Sequence, residues 1–167
     1  MKLALKLTRR YRFCASHRLD TPALNAQENQ RLYGKCNNPY GHGHDYVLEV
    51  TVEGAVDSNG QIVNRRELDE LVNERVLRRF DHKDLSKDVA GLAGVVATTE
   101  NLARAIRDAL VLSWPPGDWP PGDWPSGDWA SGDWPPGDRP AGDWPLRARL
   151  ARVRISETDR NIFELNV

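Results

Sequence analysis

The sequence predicts an α+β fold, an antiparallel sheet of four strands with two helices packed on one face. Three observations predict it. Four stretches alternate apolar and polar residues with period 2, two stretches carry apolar stripes at helical spacing, and the order is strand, strand, helix, helix, strand, strand.

Leu3, Leu5 and Leu7 alternate with Lys2, Ala4 and Lys6, and YRFCASH extends that strand toward His17. Residues 20 to 43 hold no sustained period and carry Pro, Asn and Gly, so they read as a long functional loop. Alternation returns from His44 to Val56, with Tyr46, Leu48, Val50 and Val52 on one face and Glu49, Thr51 and Glu53 on the other, before DSNGQ turns the chain. Leu68, Leu71, Val72, Val76 and Phe80 fit one helical stripe, and Leu102, Ala103, Ile106, Ala109 and Leu110 fit another. Thr98 or Thr99 can cap the second helix, with Glu100 in its first turn. Ala151, Val153 and Ile155 alternate with Arg152 and Arg154, TDRN turns, and Phe163, Leu165 and Val167 close a hairpin. Helices on one face leave the other bare and the sheet edges open. Association into a larger sheet or barrel is one way to hide them.

A chain of 167 residues has the length of one domain and can bury a sufficient core. Lys and Arg total 23 against 24 Asp and Glu, so no overall field recruits nucleic acid or an anionic membrane, and a small partner fits better. Cys14 and Cys36 are too few for a disulfide framework, and MKLALKLTRR is too short and too charged for a signal-peptide core. No run approaches the roughly 18 apolar residues of a membrane helix. A reduced, cytoplasmic protein is expected.

Residues 114 to 143 read WPPGD WPPGD WPSGD WASGD WPPGD RPAGD, a five-residue period holding five of the six tryptophans, with Trp144 just after. Period five suits neither helix nor strand, and the prolines and Gly-Asp pairs predict a turn-rich or disordered loop. The expected organisation is one domain over 1–167 with a repeat insertion at 114–145. A Trp-bearing binding arm is one reading and a tolerated surface expansion the other. Closure entropy favours tolerance, since lengthening a connection eightfold costs only about 1.8 kcal/mol, three doublings at about 0.6 each.

His42 and His44 lie two apart at the entry to a strand, so both imidazoles leave one face, and Gly43 between them removes a side chain that could crowd the approach. A lone H-x-H pair also occurs among ordinary surface residues. His17 ends FCASH in the neighbouring strand, and three neutral imidazoles with an open fourth position are the ligand set of a catalytic zinc. Cys36 follows GK and precedes NNP in a loop, where it is either an inert thiol or, beside a dication and His82, a thiolate of lowered pKa. Asp81 and His82 directly follow a helix stripe, where a helix-end charge pair is the plain alternative.

FCASHRL, GKCNNPYGHGHDY, FDHKDL, TTENLA and ISETDRNI, in that order, resemble the motifs of the 6-pyruvoyl-tetrahydropterin synthase and 6-carboxytetrahydropterin synthase family over residues 10 to 113 and 148 to 164. The resemblance implies a T-fold (tunnelling fold), whose sheets associate into a barrel of trimers that pair as a hexamer, with active sites between subunits. It implies His17, His42 and His44 as zinc ligands, Cys36 as the catalytic cysteine, and Asp81 with His82 as the acid/base pair. Glu157 matches the carboxylate that holds the pterin's guanidine-like edge, and Thr98 and Thr99 fall where the family places pterin contacts. HGHDY has Asp45 where the family often has Asn, and the tryptophan repeat has no family counterpart.

The implied reaction converts 7,8-dihydroneopterin triphosphate to 6-pyruvoyl-tetrahydropterin by zinc-assisted proton abstraction and elimination of triphosphate, without a nicotinamide. The rival within the family is 6-carboxytetrahydropterin synthase, which uses the same substrate on the route to deazapurines such as queuosine. NNPYG, the five residues between Cys36 and His42, matches the pyruvoyl spacing. A rival from another class is a non-catalytic interaction protein that uses the repeat; it would not need Cys36, Asp81, His82 and Glu157 together.

Overall fold

A computed structural model describes residues 5–112, 114 and 148–167. The repeat from residue 115 onward lies outside the described residues, as do Leu3 and its neighbours at the start. Along the chain run β1 (Leu5–His17), α1 (Ala26–Tyr33), a 3-10 turn (Gly34–Asn37), β2 (His42–Gly54), α2 (Arg65–Val72), a π turn (Asn73–Leu77), α3 (Arg78–Phe80) and β3 (Lys83–Asp84). A second 3-10 turn (Ala90–Leu92), α4 (Thr99–Val111), β4 (Arg149–Ser156) and β5 (Ile162–Asn166) complete it.

The sheet order is β3-β1-β2-β4-β5. Four of these strands are the antiparallel set that the alternation predicts. The fifth corrects the expected four-stranded antiparallel sheet to a mixed one, because β3 pairs parallel with β1 at Ala15 and Ser16. Two residues are too few to show a period, so no alternation could announce them. A bulge between Thr51 and Val52 places Leu150 opposite Val52 and Arg152 opposite Thr51, leaving Ala151 extra on β4. Leu150 and Ala151 are therefore both buried, although adjacent strand residues ordinarily face opposite sides.

One core cluster joins Tyr46, Leu48, Val50 and Val52 of β2 to Leu68, Leu71 and Val76 of the α2 segment and Leu102, Ile106 and Leu110 of α4. Both helical stripes thus cover one face of the sheet, as their period requires. Asp69 of α2 fixes this packing laterally, accepting from Tyr11 Oη at 2.7 Å and from Arg9 Nε at 3.0 Å. No helix among the described residues is long and apolar enough to cross a membrane. The bare face is charged: Glu49 meets Arg154 at 2.8 Å, and Glu53 meets Arg149 at 2.6 Å.

Helix α1 corrects the reading of residues 20 to 43 as one long functional loop. Asn25 and Glu28 form a reciprocal capping box, each side chain bonding the other's backbone N–H. Only Asn29 of this helix is buried, so it shows no apolar stripe, and its signal was its cap.

Trp114 belongs to the fold, although it opens the repeat in sequence. Its ring packs against the core cluster and its Nε1 donates to Ala148 O at 2.9 Å, joining the two ends of the intervening segment. Replacing residues 115–147 by a four-residue Gly-Ser linker while keeping Trp114 should therefore leave stability unchanged or raised by up to about 1.8 kcal/mol. All six tryptophans lie between 114 and 144, so Trp114 would be the sole tryptophan whose emission reports denaturant unfolding. In that background Trp114→Ala, read by circular dichroism, should cost about 2 kcal/mol, below the 3–5 of a fully buried Trp because this ring is only half-buried. A linker variant that unfolds at lower denaturant would make the repeat part of the core's support.

Candidate active site

The antiparallel register sets His17 opposite His42 and Ala15 opposite His44. Opposed residues in a ladder share a face, so all three imidazoles stand at one end of the sheet on the helix side. His17 is 1% exposed, and its Nδ1 lies 2.9 Å from the carbonyl of Ala97. That bond places the proton on Nδ1 and leaves the Nε2 lone pair free. His17 Nε2 lies 3.3 Å from His42 Nε2, which lies 2.8 Å from His44 Nε2. Burial lowers the pKa of both His17 and His44, keeping them in the neutral form that binds metals.

Three Nε2 atoms converging this closely, two of them on buried or half-buried neutral rings, fit one cation better than they fit one another. Gly41, and not Gly43, is the glycine that this arrangement requires. Its φ is +69°, and a Cβ there would stand 2.8 Å from His17 O, whereas a Cβ on Gly43 would meet only Ala15 O at 3.7 Å.

Cys36 sits in the first 3-10 turn, anchored by Leu19 N–H donating to its carbonyl at 2.7 Å and by Asn37 Nδ2 donating to Leu19 O at 2.7 Å. Its sulfur, with ring nitrogens of His17 and His42, forms a group whose atoms all lie within 4.8 Å. The thiol is half-buried, and burial, then Glu157, push its pKa up.

Glu157, at the start of the β4–β5 turn, faces the imidazoles, its Oε1 3.8 Å from His44 Nε2 and 3.9 Å from His17 Nε2. Burial opposes its charge, but bonds from Thr99 and Asn161 and the two nearby imidazoles outweigh that and hold its pKa below the ordinary value. Thr98 is the N-cap of α4, accepting from Asn101 N–H at 3.3 Å. Thr99 is buried and donates its hydroxyl to Glu157 Oε1 at 2.7 Å. Tyr46 lies fully buried beneath His44, and its hydroxyl makes no hydrogen bond among the described residues, with the Thr99 hydroxyl the nearby group that bears on its ionisation.

Asp81 and His82 are not brought to Cys36, as the expectation of a thiol lowered by His82 requires. They dock on the backbone of the other cysteine: Cys14 N–H donates to Asp81 Oδ1 at 2.8 Å, and His82 N–H donates to Cys14 O at 2.6 Å. Asp81 Oδ2 lies 3.0 Å from His82 Nδ1, so the two stand within direct contact. His82 holds φ at 57°, a strained value for a residue with a side chain, and its imidazole is 80% exposed. It lines a 400 Å³ pocket with Cys14, Ser16, Asp45 and Lys83. Cys14 is exposed between buried Phe13 and Ala15, so its side chain stands on the sheet face opposite the three imidazoles, although His44 also borders the pocket. Asp45 accepts from Cys14 Sγ at 2.7 Å there. Within one chain, then, His17, Cys36, His42, His44, Thr99 and Glu157 come together and Asp81 with His82 stand apart.

A profile of the 6-pyruvoyl tetrahydropterin synthase family matches residues 6–114 of the 167. The chain belongs to this family. It is 47% identical over 110 residues to the 6-pyruvoyl tetrahydrobiopterin synthase of Poecilia reticulata, covering 65% of this chain and 75% of the relative. It is 45% identical over 113 residues to that of Homo sapiens, covering 67% and 78%. The structure of Caenorhabditis elegans 6-pyruvoyl tetrahydropterin synthase superposes with a TM-score of 0.74 at 29% identity, covering 99% of this chain and 97% of the other. The Plasmodium falciparum 6-pyruvoyl tetrahydropterin synthase, at 14% identity and a TM-score of 0.57, shares the fold. A putative 6-carboxy-5,6,7,8-tetrahydropterin synthase of Archaeoglobus fulgidus aligns over only 65 residues, at 34% identity.

Proposed function

We propose that this chain is a lyase that converts 7,8-dihydroneopterin triphosphate to 6-pyruvoyl-tetrahydropterin with loss of triphosphate, in the cytoplasm and with one zinc per chain. The observation that carries this reading is the convergence of three imidazoles, a thiol and a charged carboxylate at one end of the sheet in a chain of this family. The pyruvoyl product is favoured over the carboxy product because the pyruvoyl relatives align at 41–48% identity over 92–113 residues, against 31–34% over 65–71 for the carboxy relatives.

His17, His42 and His44 would hold the zinc, which supplies the Lewis acidity that makes C–H bonds beside the side-chain hydroxyls acidic. Glu157 accepts two hydrogen bonds from the amino-pyrimidine edge and so fixes which carbon faces Cys36. Cys36, as thiolate, takes the proton. Asp81 and His82 pass or hold protons as a pair, and since they stand apart from Cys36 within the chain, they are supplied by a second copy. Sheet closure brings that copy in: β3 covers only Ala15 and Ser16 of β1, so the rest of that edge has no strand partner among the described residues. A hexamer built as a dimer of trimers around a barrel follows this logic.

Mass spectrometry after incubation with dihydroneopterin triphosphate tests the reading. Free triphosphate with 6-pyruvoyl-tetrahydropterin is expected; acetaldehyde with a 6-carboxy pterin would assign the other activity, and unchanged substrate would remove both.

A further inference from the structure

Two partners compete for the carboxylate of Glu157. On one side are the Nε2 atoms of His17 and His44, which with a Glu157 oxygen form a group compact enough to share one ion. On the other is the pterin edge assigned to it above. Rotation about the last bond of a Glu side chain is nearly free, so torsion alone does not choose between them. An ion held by the imidazoles would draw the carboxylate in as a further ligand and close the position that a substrate needs.

Two donors oppose this. Thr99 Oγ1 donates to Oε1 at 2.7 Å, and Asn161 Nδ2 donates to Oε2 at 3.2 Å. Each carboxylate oxygen accepts two hydrogen bonds, so one donor on each fixes the plane of the group and leaves one acceptor site on both. That is what a bidentate edge requires. Asn161 is itself held over the carboxylate, because its carbonyl accepts from Glu157 N–H at 3.0 Å and its own N–H donates to Thr158 Oγ1 at 3.0 Å. Its side chain is exposed, so its bond to Glu157 is not a by-product of core packing.

We propose that Asn161 is a positioning residue, which with Thr99 turns Glu157 toward the pterin edge and holds it off the metal-binding imidazoles. This rests on the function proposed above. Thr99 is buried at the start of α4, where substitution also disturbs the helix; exposed Asn161 gives the cleaner test.

The full chain is compared with Asn161→Ala and Asn161→Asp by calorimetric titration with neopterin and by zinc retention against a chelator, with thermal unfolding measured alongside. Asn161→Asp keeps the turn-forming character of the side chain while replacing its donor with a charge like that of Glu157. Both variants should bind neopterin roughly 10–100-fold more weakly, the usual effect of removing an outer partner of a site. Both should also hold zinc more tightly than the parent, because the freed carboxylate joins the imidazoles. A merely structural turn would weaken both ligands together with the melting temperature, and that result overturns the proposal, as does neopterin affinity equal to the parent's. A parent chain that does not bind neopterin overturns the functional reading instead, and zinc retention then decides the clamp alone. If Asn161→Ala fails to fold, Asn161→Asp decides on the same readings.

Discussion

Cys36→Ala and His82→Ala, each inactive as a pure protein, should regain activity when the two chains are co-expressed with different tags and purified through both. The thiol stands on the helix side of the sheet beside His17 and His42, while His82 opens on the opposite face against Cys14. Among the described residues no hydrogen bond or ion pair joins them, and the bonds of the Asp81 carboxylate and the His82 N–H to the Cys14 backbone hold the pair at the β3 edge. If each site takes its thiol from one copy and its acid/base pair from another, random mixing makes about one site in four wholly intact. Activity should thus rise from near zero to about a quarter of the parent's. Recovery should be absent when both substitutions are carried on one chain and mixed with itself. Mixed oligomers seen by native mass spectrometry without any recovered turnover would put thiol and pair in the same chain, and the gap between them would need a movement of β3.

The parts of this molecule that could be read in advance were those with a repeating physical cause. Tyr46, Leu48, Val50 and Val52 alternate because β2 buries one face, and the same alternation forces His42 and His44 onto that face, so strand and histidine placement were legible together. Helix α1 was not, because it buries almost nothing and is held by a cap that leaves no periodic trace. β3 was missed because it is held by bonds of residues 81 to 86 to Cys14, Ser16 and Arg18, contacts between residues 67 or more positions apart. The same distance hides the role of Thr99, whose hydroxyl could cap a helix or meet a ligand until β4 brings Glu157 to it across 58 positions. Asn161 sits in TDRN, a stretch whose turn chemistry explains it fully until the carboxylate at its side is seen.

Metal content should separate the histidines from the cysteine. His42→Ala and His44→Ala are each expected to lose most bound zinc, while Cys36→Ala keeps it and loses turnover by about 10²-fold or more, the range of a positioned base. Geometry alone leaves Cys36 able to ligate, since its sulfur falls within 4.8 Å of nitrogens on His17 and His42. Chemistry separates the roles. Three imidazoles already converge at 3.3 and 2.8 Å, and a catalytic site of this kind keeps its remaining position for substrate. Burial and Glu157 also push the thiol's pKa up, so the thiol of the chain by itself is held in its protonated form. A base needs the thiolate only when substrate is in place and Glu157's charge is engaged by the pterin edge. The sign then follows: loss of the sulfur removes the proton acceptor and leaves the metal's nitrogens untouched. Elemental analysis of the purified variants reads this directly, with turnover measured on the same samples. Zinc lost from Cys36→Ala to the same extent as from His42→Ala would make Cys36 a ligand, and the proton would then have to leave through Asp81 and His82 alone.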